Sequence, residues 1–419
     1  MRVLVIGSGA REHAVAQKFS KSKRIAGLFV LPGNAGTSEI AVNIDGDYGD
    51  PDYVLQVCRK NNINFVFIGP EAPLAAGLAD RIKDEGIPVI GPGAKAAQLE
   101  SSKVFSKEFM NRHQIPTAEA RTFSESGPFH EYIQSAAGKQ VIKKNGLAAG
   151  KGVFESESKD ELIDFGDKII SGGDSLLAEE FLEGFEVSII TIYDGSTYEI
   201  LPPAADYKKA GDGNTGPNTG GMGAICPVPW LSGSELSRVK DLIIAPTFQG
   251  LREDGLAFTG FLYFGLMITP AGPKILEYNV RLGDPETQVL LPLIKSDFGN
   301  LCEAMTSKKL DTFPLRVAEK SALGVVVAAP GYPGSYEKSI PVTRLPIVHE
   351  SEAAVYHAST YKDSTGVLKT GGGRCFTVVG LGKDLLAARI TAYNAVKGVQ
   401  FSGSWYRGDI GADVYDEAD

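Results

Sequence analysis

This chain is poor in the residues on which most nucleophilic, metal-centred and disulfide-bonded proteins depend. Its 419 residues include four cysteines (Cys58, Cys226, Cys302, Cys375), scattered without CxxC or other metal-ligand spacing. That argues against a disulfide framework and fits a reducing cytoplasm. Five histidines are present, without an HExxH motif, and no GxSxG elbow marks a serine nucleophile. His113, His130, His349 and His357 stand outside any motif. His13 lies in a glycine loop, where phosphate contact and plain solvation are equal alternatives. The net charge is -9 with no long basic run, so nucleic acid is not the expected partner. No apolar run is long enough to span a bilayer, and the opening MRVLVIG reads as a strand rather than a signal peptide. Chemistry without a protein nucleophile suits direct phosphoryl transfer, where positioning and electrostatics carry most of the catalysis.

Glycine, by contrast, is abundant at 49 residues, and it clusters in a few loops. The length allows two or three domains. Residues 2 to about 100 alternate strand and helix signals, with strands at Val3 to Ile6, Leu28 to Leu31, Phe65 to Ile68 and Pro88 to Ile90. Each strand ends in a Gly or Pro turn: GSGAREH, PGNAGT, GPEAP, GPG. This is the pattern of a doubly wound parallel sheet with ligand loops at the strand C-termini. One helix is expected from Ser101 to His113. From about Thr117 to Ser188 the text changes to a small α+β lid. A long loop, Ala210 to Ala224, and a helix near Leu236 to Glu253 follow. After about Thr312, strands and Gly/Pro turns dominate, without a comparable reactive cluster.

The densest chemistry lies in EYNVRLGDPETQ, Glu277 to Gln288. It ends an apolar hairpin turned by TPAGP, so alternation puts Glu277, Asn279 and Arg281 on one face. A carboxylate and an amide oxygen two residues apart suit a Mg²⁺ ion that also holds phosphates. Arg281 adds a fixed cation, and Asp284 and Glu286 make the next turn acidic. GSGAREH, with Gly9 and Arg11, places a helix N-terminus where an anion is favoured. A dinucleotide fingerprint would want glycine where Glu12 stands and an acid closing the second strand, so NAD is a poor fit. A phosphorylated sugar fits better. PGNAGT (Asn34, Gly36, Thr37) adds backbone N–H groups, and Glu71 in GPEAPL could hold ribose hydroxyls. NGLAAGKG, with Gly146, suits a mobile flap, and Lys143 and Lys151 would bring charge to a triphosphate. In EEFLEGFEVS, hinge backbone groups around Glu179, Glu180 and Leu182 could read an adenine edge. Glu186 could hold ribose or sit near the metal. AGDGNTGPNTGGMG, which includes Asp212, Asn218, Gly220, Gly221 and Met222, reads as a substrate loop rather than a linker.

Taken in order, VLVIGSGAREH, PGNAGT, GPEAPL, SSKVFSKEFM, GLAAGKGV, TGPNTGGMGA, GFLYFGLM and RLGDPETQ resemble the phosphoribosylamine-glycine ligases, or glycinamide ribonucleotide synthetases, of the ATP-grasp superfamily. The resemblance runs from Met1 to about Asp311 and continues more weakly through GYPG and TGGGR. It implies an α/β and α+β chain in three parts. These are an N-terminal doubly wound parallel-sheet domain (1–106), a central ATP-grasp domain with a small lid (107–311, lid about 117–188) and a mostly β C-terminal domain (312–419). It further implies ATP-dependent ligation of glycine to 5-phosphoribosylamine in de novo purine synthesis, by a cytoplasmic monomer or weak homodimer. Lys103, Lys143, Glu179, Glu180, Leu182 and Glu186 match the family's nucleotide positions. Glu277 and Asn279 match its Mg²⁺ or Mn²⁺ ligands. The first-domain loops and GPNTGGMG would hold phosphoribosylamine, with Arg281 and Asp284 near glycine.

Three positions depart from the family pattern. Lys144-Asn145 stands where Ala-Asp is common, Tyr207-Lys208-Lys209 where His-Lys-Arg is common, and Leu282 where Phe is usual. Another ATP-grasp enzyme, such as a purine-precursor carboxylase, would share the nucleotide half. A nucleotide-binding oxidoreductase or sensor would not need glycine.

Overall fold

The computed structural model describes residues 1–147 and 152–412. Five short strands form the first sheet, in the order Val42–Asn43, Gly27–Pro32, Arg2–Gly7, Phe65–Ile68, Val89–Ile90, and all their pairings are parallel. Val3 to Ile6 are fully buried, as expected of strands covered by helices on both faces. The strand Arg2–Gly7 delivers its last residue at φ +124°, and a Cβ on Gly7 would lie 2.6 Å from the Glu12 side chain. Only glycine makes that turn without a clash.

The expected helix over Ser101 to His113 is instead two helices, Ala94–Ser101 and Lys103–Arg112. Ser102 interrupts them with extended backbone and caps the second, its Oγ accepting the Phe105 N–H at 3.2 Å. The lid is a four-stranded antiparallel sheet in the order Ala120–Phe123, Leu176–Glu180, Gln140–Lys144, Val153–Ser156. Helices Ser126–Ser135 and Lys159–Ser171 accompany it. Phe129, Ile133, Ile142, Leu162, Ile169, Leu176 and Ala178 give this unit a core of its own, separate from the two larger ones. A second antiparallel sheet carries the expected hairpin as Gly260–Thr269 and Gly272–Asn279, beside Phe185–Tyr193.

The stretch expected as a long loop, Ala210 to Ala224, is partly ordered. Lys209–Gly211 pairs with Thr215–Asn218, and Gly223–Cys226 is a strand. That strand and Ala205–Asp206 complete the C-terminal sheet, with Ser321–Ala328, Arg374–Gly382 and Ala353–His357. A helix, Leu385–Val396, packs on this sheet and was not expected in the tail; its sequence carries little amphipathic signal because apolar Leu386 and Ile390 stand at exposed positions. Among the described residues no helix is long and apolar enough to cross a membrane.

A buried histidine pair joins the first sheet's loops to the C-terminal sheet. His13 Nδ1 accepts the His357 backbone N–H at 2.9 Å, and Asn34 Nδ2 donates to the His357 carbonyl at 2.8 Å. Burial, with His357 adding to it, pulls His13 down to about 3, and burial pulls His357 down to about 4. Both values lie below that of an unfolded histidine, about 6.5. Stability from the pair is therefore complete above that pH and lost as pH falls through it toward the folded values. Lowering pH from about 7 to about 5 should cost up to about 4 kcal/mol from the two rings together. In His13→Gln, whose amide oxygen can still accept, the loss of melting temperature between those pH values should roughly halve. An undiminished loss would show that the acid sensitivity arises elsewhere.

Candidate active site

A cleft of about 1000 Å³ opens between the lid, the central sheet, the first sheet's loops and the C-terminal sheet. Gly9, Arg11, Glu71, Lys103, Lys143, Gly146, Glu179, Glu180, Leu182, Glu186, Asn218, Gly220, Glu277, Asn279, Arg281, Asp284 and Glu286 all line it. Residues far apart in sequence thus share one cavity. Lys151 lies outside the described residues.

Six expected residues do not line the cleft, and their bonds say why. Asn34 is a loop staple, its Oδ1 accepting the Gly36 and Thr37 N–H groups at 2.9 and 3.0 Å. Gly36 packs against His13, and Thr37 is fully buried on Asn43. Asp212 turns outward and accepts the Gly408 N–H at 2.9 Å. Gly221 donates to Thr219 Oγ1, and Met222 is fully buried.

At the lid end, Glu179 sits between two lysines, 2.8 Å from Lys143 and 3.2 Å from Lys107. Its carboxylate is therefore committed to holding cations. Lys143 also donates to the Leu276 carbonyl at 3.1 Å, which ties the lid strand to the central sheet. Glu180 is likewise committed, 2.6 Å from Lys274 and accepting the Glu119 N–H at 3.0 Å. Lys103 donates to the Gly146 carbonyl at 2.9 Å, so one end of the flap loop is anchored to the helix beneath it. Burial lowers the pKa of Lys103, although Glu277 opposes the shift.

In the middle, Glu277 is exposed to the cleft while its neighbour Tyr278 is buried, as alternation requires. The strand ends at Asn279, so Arg281 lies beyond it, yet Arg281 Nη2 still reaches Asn279 Oδ1 at 3.4 Å. Among the described residues the Glu277 side chain has no ion-pair or hydrogen-bond partner, its backbone alone pairing with Gly265. Desolvation pushes its pKa up, but Lys208, Lys143, Lys103 and Arg281 outweigh this and hold it below the ordinary value. An ionised, unpaired carboxylate beside an amide oxygen fits a hard cation whose remaining ligands come from phosphates and water. No group of three or more His, Cys, Asp or Glu side chains among the described residues could hold a metal by itself. Nearby, Glu186 pairs with Lys208. Burial opposes the charge on Lys208, yet Glu186 and Asp206 hold its pKa well above normal. Burial pushes Asp206 up to about 7; Lys208 opposes this, while Glu286, Glu186 and Glu277 add to it. Glu286 accepts the Ser188 hydroxyl at 3.0 Å on the cleft floor.

The far end mixes arginines with acids. Arg281 Nη2 lies 2.7 Å from Glu100, and its Nε lies 3.5 Å from Glu71 without a hydrogen bond. Burial opposes the Arg281 charge, but Glu100 and Glu71 raise its pKa. Asp284 lies 3.1 Å from Arg374 and accepts from Gln288 at 2.8 Å. Desolvation is outweighed there by Arg374 and Arg11, which hold the Asp284 carboxyl low. Glu12 fills the position where a dinucleotide fold needs glycine. It accepts the Gly9 N–H at 2.7 Å and pairs with Arg11 at 2.5 Å.

Sequence reasoning missed Lys107, Glu100 and Arg374. Lys107 follows Lys103 by one helical turn, a signal that was available. Arg374 sits in TGGGR, in the part read as lacking a reactive cluster. It donates to the Gly220 carbonyl and so ties the glycine loop to Asp284. Nothing near it in sequence announces that contact.

An antiparallel lid closing on a central antiparallel sheet, with an α/β domain before it, defines an ATP-grasp protein. Family models of phosphoribosylglycinamide synthetase match the chain in three parts. The N domain covers residues 1–100, the ATP-grasp (A) domain 101–287 and the C domain 322–413. A phosphoribosylamine-glycine ligase of Rhodopirellula baltica is 43% identical over 97% of this chain and 96% of its own length. The crystal structure of phosphoribosylamine-glycine ligase from Thermotoga maritima matches with a TM-score of 0.84 and 35% identity, over 98% of this chain and 100% of that one. The biotin carboxylase domain of a Hydrogenobacter thermophilus 2-oxoglutarate carboxylase, solved with MgADP and bicarbonate, shares the fold. Its TM-score is 0.72 at 15% identity, over 97% of this chain and 91% of that one. The chain belongs to the phosphoribosylglycinamide synthetase family, ligases that join glycine to phosphoribosylamine with ATP.

Proposed function

We propose that the cleft performs this ligation in two steps, with the residues divided by position. The glycine carboxylate takes the γ-phosphoryl group of ATP, giving glycyl phosphate and ADP. The amine of 5-phosphoribosylamine then attacks the acyl carbon, phosphate leaves and an amide remains. The observation that carries the reading is the order of charges along one cleft: lysines at the lid, an unpaired carboxylate in the middle, arginine–acid pairs at the far end.

Lys103 and Lys143 hold the triphosphate beside Gly146, and Lys151 is assigned to it from the sequence alone. Glu179 keeps Lys143 aimed, and the hinge at Glu180 and Leu182 borders the base, with Glu186 toward the ribose. Glu277 and Asn279 would hold Mg²⁺ or Mn²⁺, which when bound offsets charge on the phosphate oxygens. Arg281 receives the glycine carboxylate and Asp284 its ammonium group, a match to a zwitterion. Gly9, Arg11, Glu71, Asn218, Gly220 and Glu286 border the phosphoribosyl group. The lid, with its own core, can close as a unit and keep water from the acyl phosphate. Four buried free cysteines suit a reducing compartment, and we place the protein in the cytoplasm.

The test is ADP release with ATP, Mg²⁺, glycine and freshly generated phosphoribosylamine, omitting each in turn. Turnover is expected only with both glycine and the amine, with a product of the summed mass. ADP release indifferent to glycine, or supported equally by bicarbonate, would overturn the reading.

A further inference from the structure

We infer that Arg407, in the C-terminal segment, is a positioning residue: it holds the glycine-rich loop over residues 207–219 in the shape that walls the cleft. The kinetic part of this inference rests on the ligation proposed above, and the structural part does not.

Arg407 is 1% exposed and stands behind the cleft rather than in it. Its Nε and Nη2 donate to the two carboxylate oxygens of Asp409 at 2.8 and 2.6 Å. With the guanidinium fixed by that bidentate pair, its other hydrogens point into the loop. Nη1 donates to the Lys209 carbonyl at 3.0 Å and Nη2 to Asn214 Oδ1 at 3.1 Å. Its flat face lies over the Tyr207 ring, 5.2 Å from the centroid. The backbone around it adds three more ties. Gly408 N–H donates to Asp212 at 2.9 Å, and Gly411 N–H donates to the Tyr207 hydroxyl at 3.0 Å. In the other direction, Gly213 N–H donates to Asp409 at 2.8 Å. Tyr393 then fixes the segment itself, donating to the Arg407 carbonyl and accepting the Ile410 N–H.

Tyr207, Lys209 and Asn214, which Arg407 touches, all line the cleft, as does Lys208 between them. The loop has little apolar packing of its own past Tyr207, and glycines at 211, 213, 216, 220 and 221 make it entropically costly to order. Its two-strand hairpin is too short to be stable alone. The order must come from outside, and Arg407 with Asp409 supplies three of the hydrogen bonds that impose it. Lysine could not replace the arginine, because it has no planar fork and cannot serve Asp409, Lys209 and Asn214 together.

The experiment compares the native full-length chain with Arg407→Ala, Arg407→Lys and Asp409→Asn. It measures amide hydrogen exchange by peptide, melting and steady-state kinetics. Exchange over residues 209–218 should quicken about tenfold or more, while lid peptides stay as they were. Efficiency toward the amine should fall about 100-fold, as expected for a misplaced binding wall, with a much smaller change in KM for ATP. Arg407→Lys should fail to rescue either readout. Unchanged exchange in the loop, or exchange quickened equally everywhere, would overturn the inference. Should Arg407→Ala not fold, Arg407→Lys decides by the same loop exchange, because it keeps the positive charge and the Asp409–Gly213 tie and removes only the planar fork that reaches Lys209 and Asn214. A native protein that forms no amide would sink the ligation reading but leave the exchange result to judge the strap.

Discussion

Glu277→Ala should lower turnover by about 10³-fold or more at saturating ATP, glycine and amine, while melting stays close to native. The size follows from removing a preorganised charge contact at the transferring phosphoryl group, where a single lost contact commonly costs 10²- to about 10³-fold. The fold should survive because the Glu277 side chain holds nothing together: among the described residues it has no ion-pair or hydrogen-bond partner, and alanine keeps the backbone pairing with Gly265. Its low pKa has a different origin, the combined field of Lys208, Lys143, Lys103 and Arg281. Those cations would repel one another more in the variant. A modest loss of stability that added salt recovers is therefore also expected. The measurement is ADP release across a Mg²⁺ titration, beside a melting curve. Turnover within about tenfold of native at saturating Mg²⁺ would remove Glu277 from the metal site. A collapse of melting would show that the carboxylate is structural after all.

The parts of this site that were legible in the sequence are those whose geometry is local. The hairpin ending in EYNVRLGDPETQ turns where TPAGP says it should, and period-2 alternation correctly puts Glu277 and Asn279 on the cleft side of Tyr278. The first sheet was legible because parallel strands buried on both faces read as short apolar runs between glycine turns. What was not legible depends on partners far along the chain. Arg374 and Arg407 matter because of Gly220, Asp284 and Lys209, between 90 and 198 residues away. The strand Gly223–Cys226 joins the C-terminal sheet by pairing with Ser321–Ala328, which no local pattern near residue 223 can reveal. The glycine-rich stretch hides its hairpin for a related reason: glycines carry no side chain to alternate. The break at Ser102 was readable, since a serine followed by a helix is a capping signal, but the run of helix formers on either side masks it.

Glu179 has a side-chain role that its place in the sequence did not announce. The sequence pointed to its backbone as a neighbour of an adenine edge; the residue is 3% exposed, and its carboxylate bridges Lys107 and Lys143. Glu179→Ala would leave two lysines in a closed site without their shared counter-ion. Removing one member of a buried ionic group typically costs about 3–5 kcal/mol, because the abandoned charge stays desolvated. Part of that loss should be relieved here by deprotonation, since burial already lowers the pKa of Lys107 with Lys143 adding to it. The loss should accordingly be smaller at high pH than at neutral pH, where both ammonium groups must be buried charged. Lys107 also donates to Thr117 and to the Ala118 carbonyl at 2.8 Å, at the point where the chain enters the lid. Loosening should therefore begin at that entry and along the strand Gln140–Lys144, and leave the first sheet untouched. Denaturant melts at two pH values, with hydrogen exchange to locate the opening, would test this. A Glu179→Gln variant separates charge from shape: it keeps the hydrogen-bond acceptor and should still lose most of the stability that alanine loses. If glutamine restores native melting, the bridge acts by shape and hydrogen bonding, and the lysines at the mouth of the lid do not need the negative charge between them.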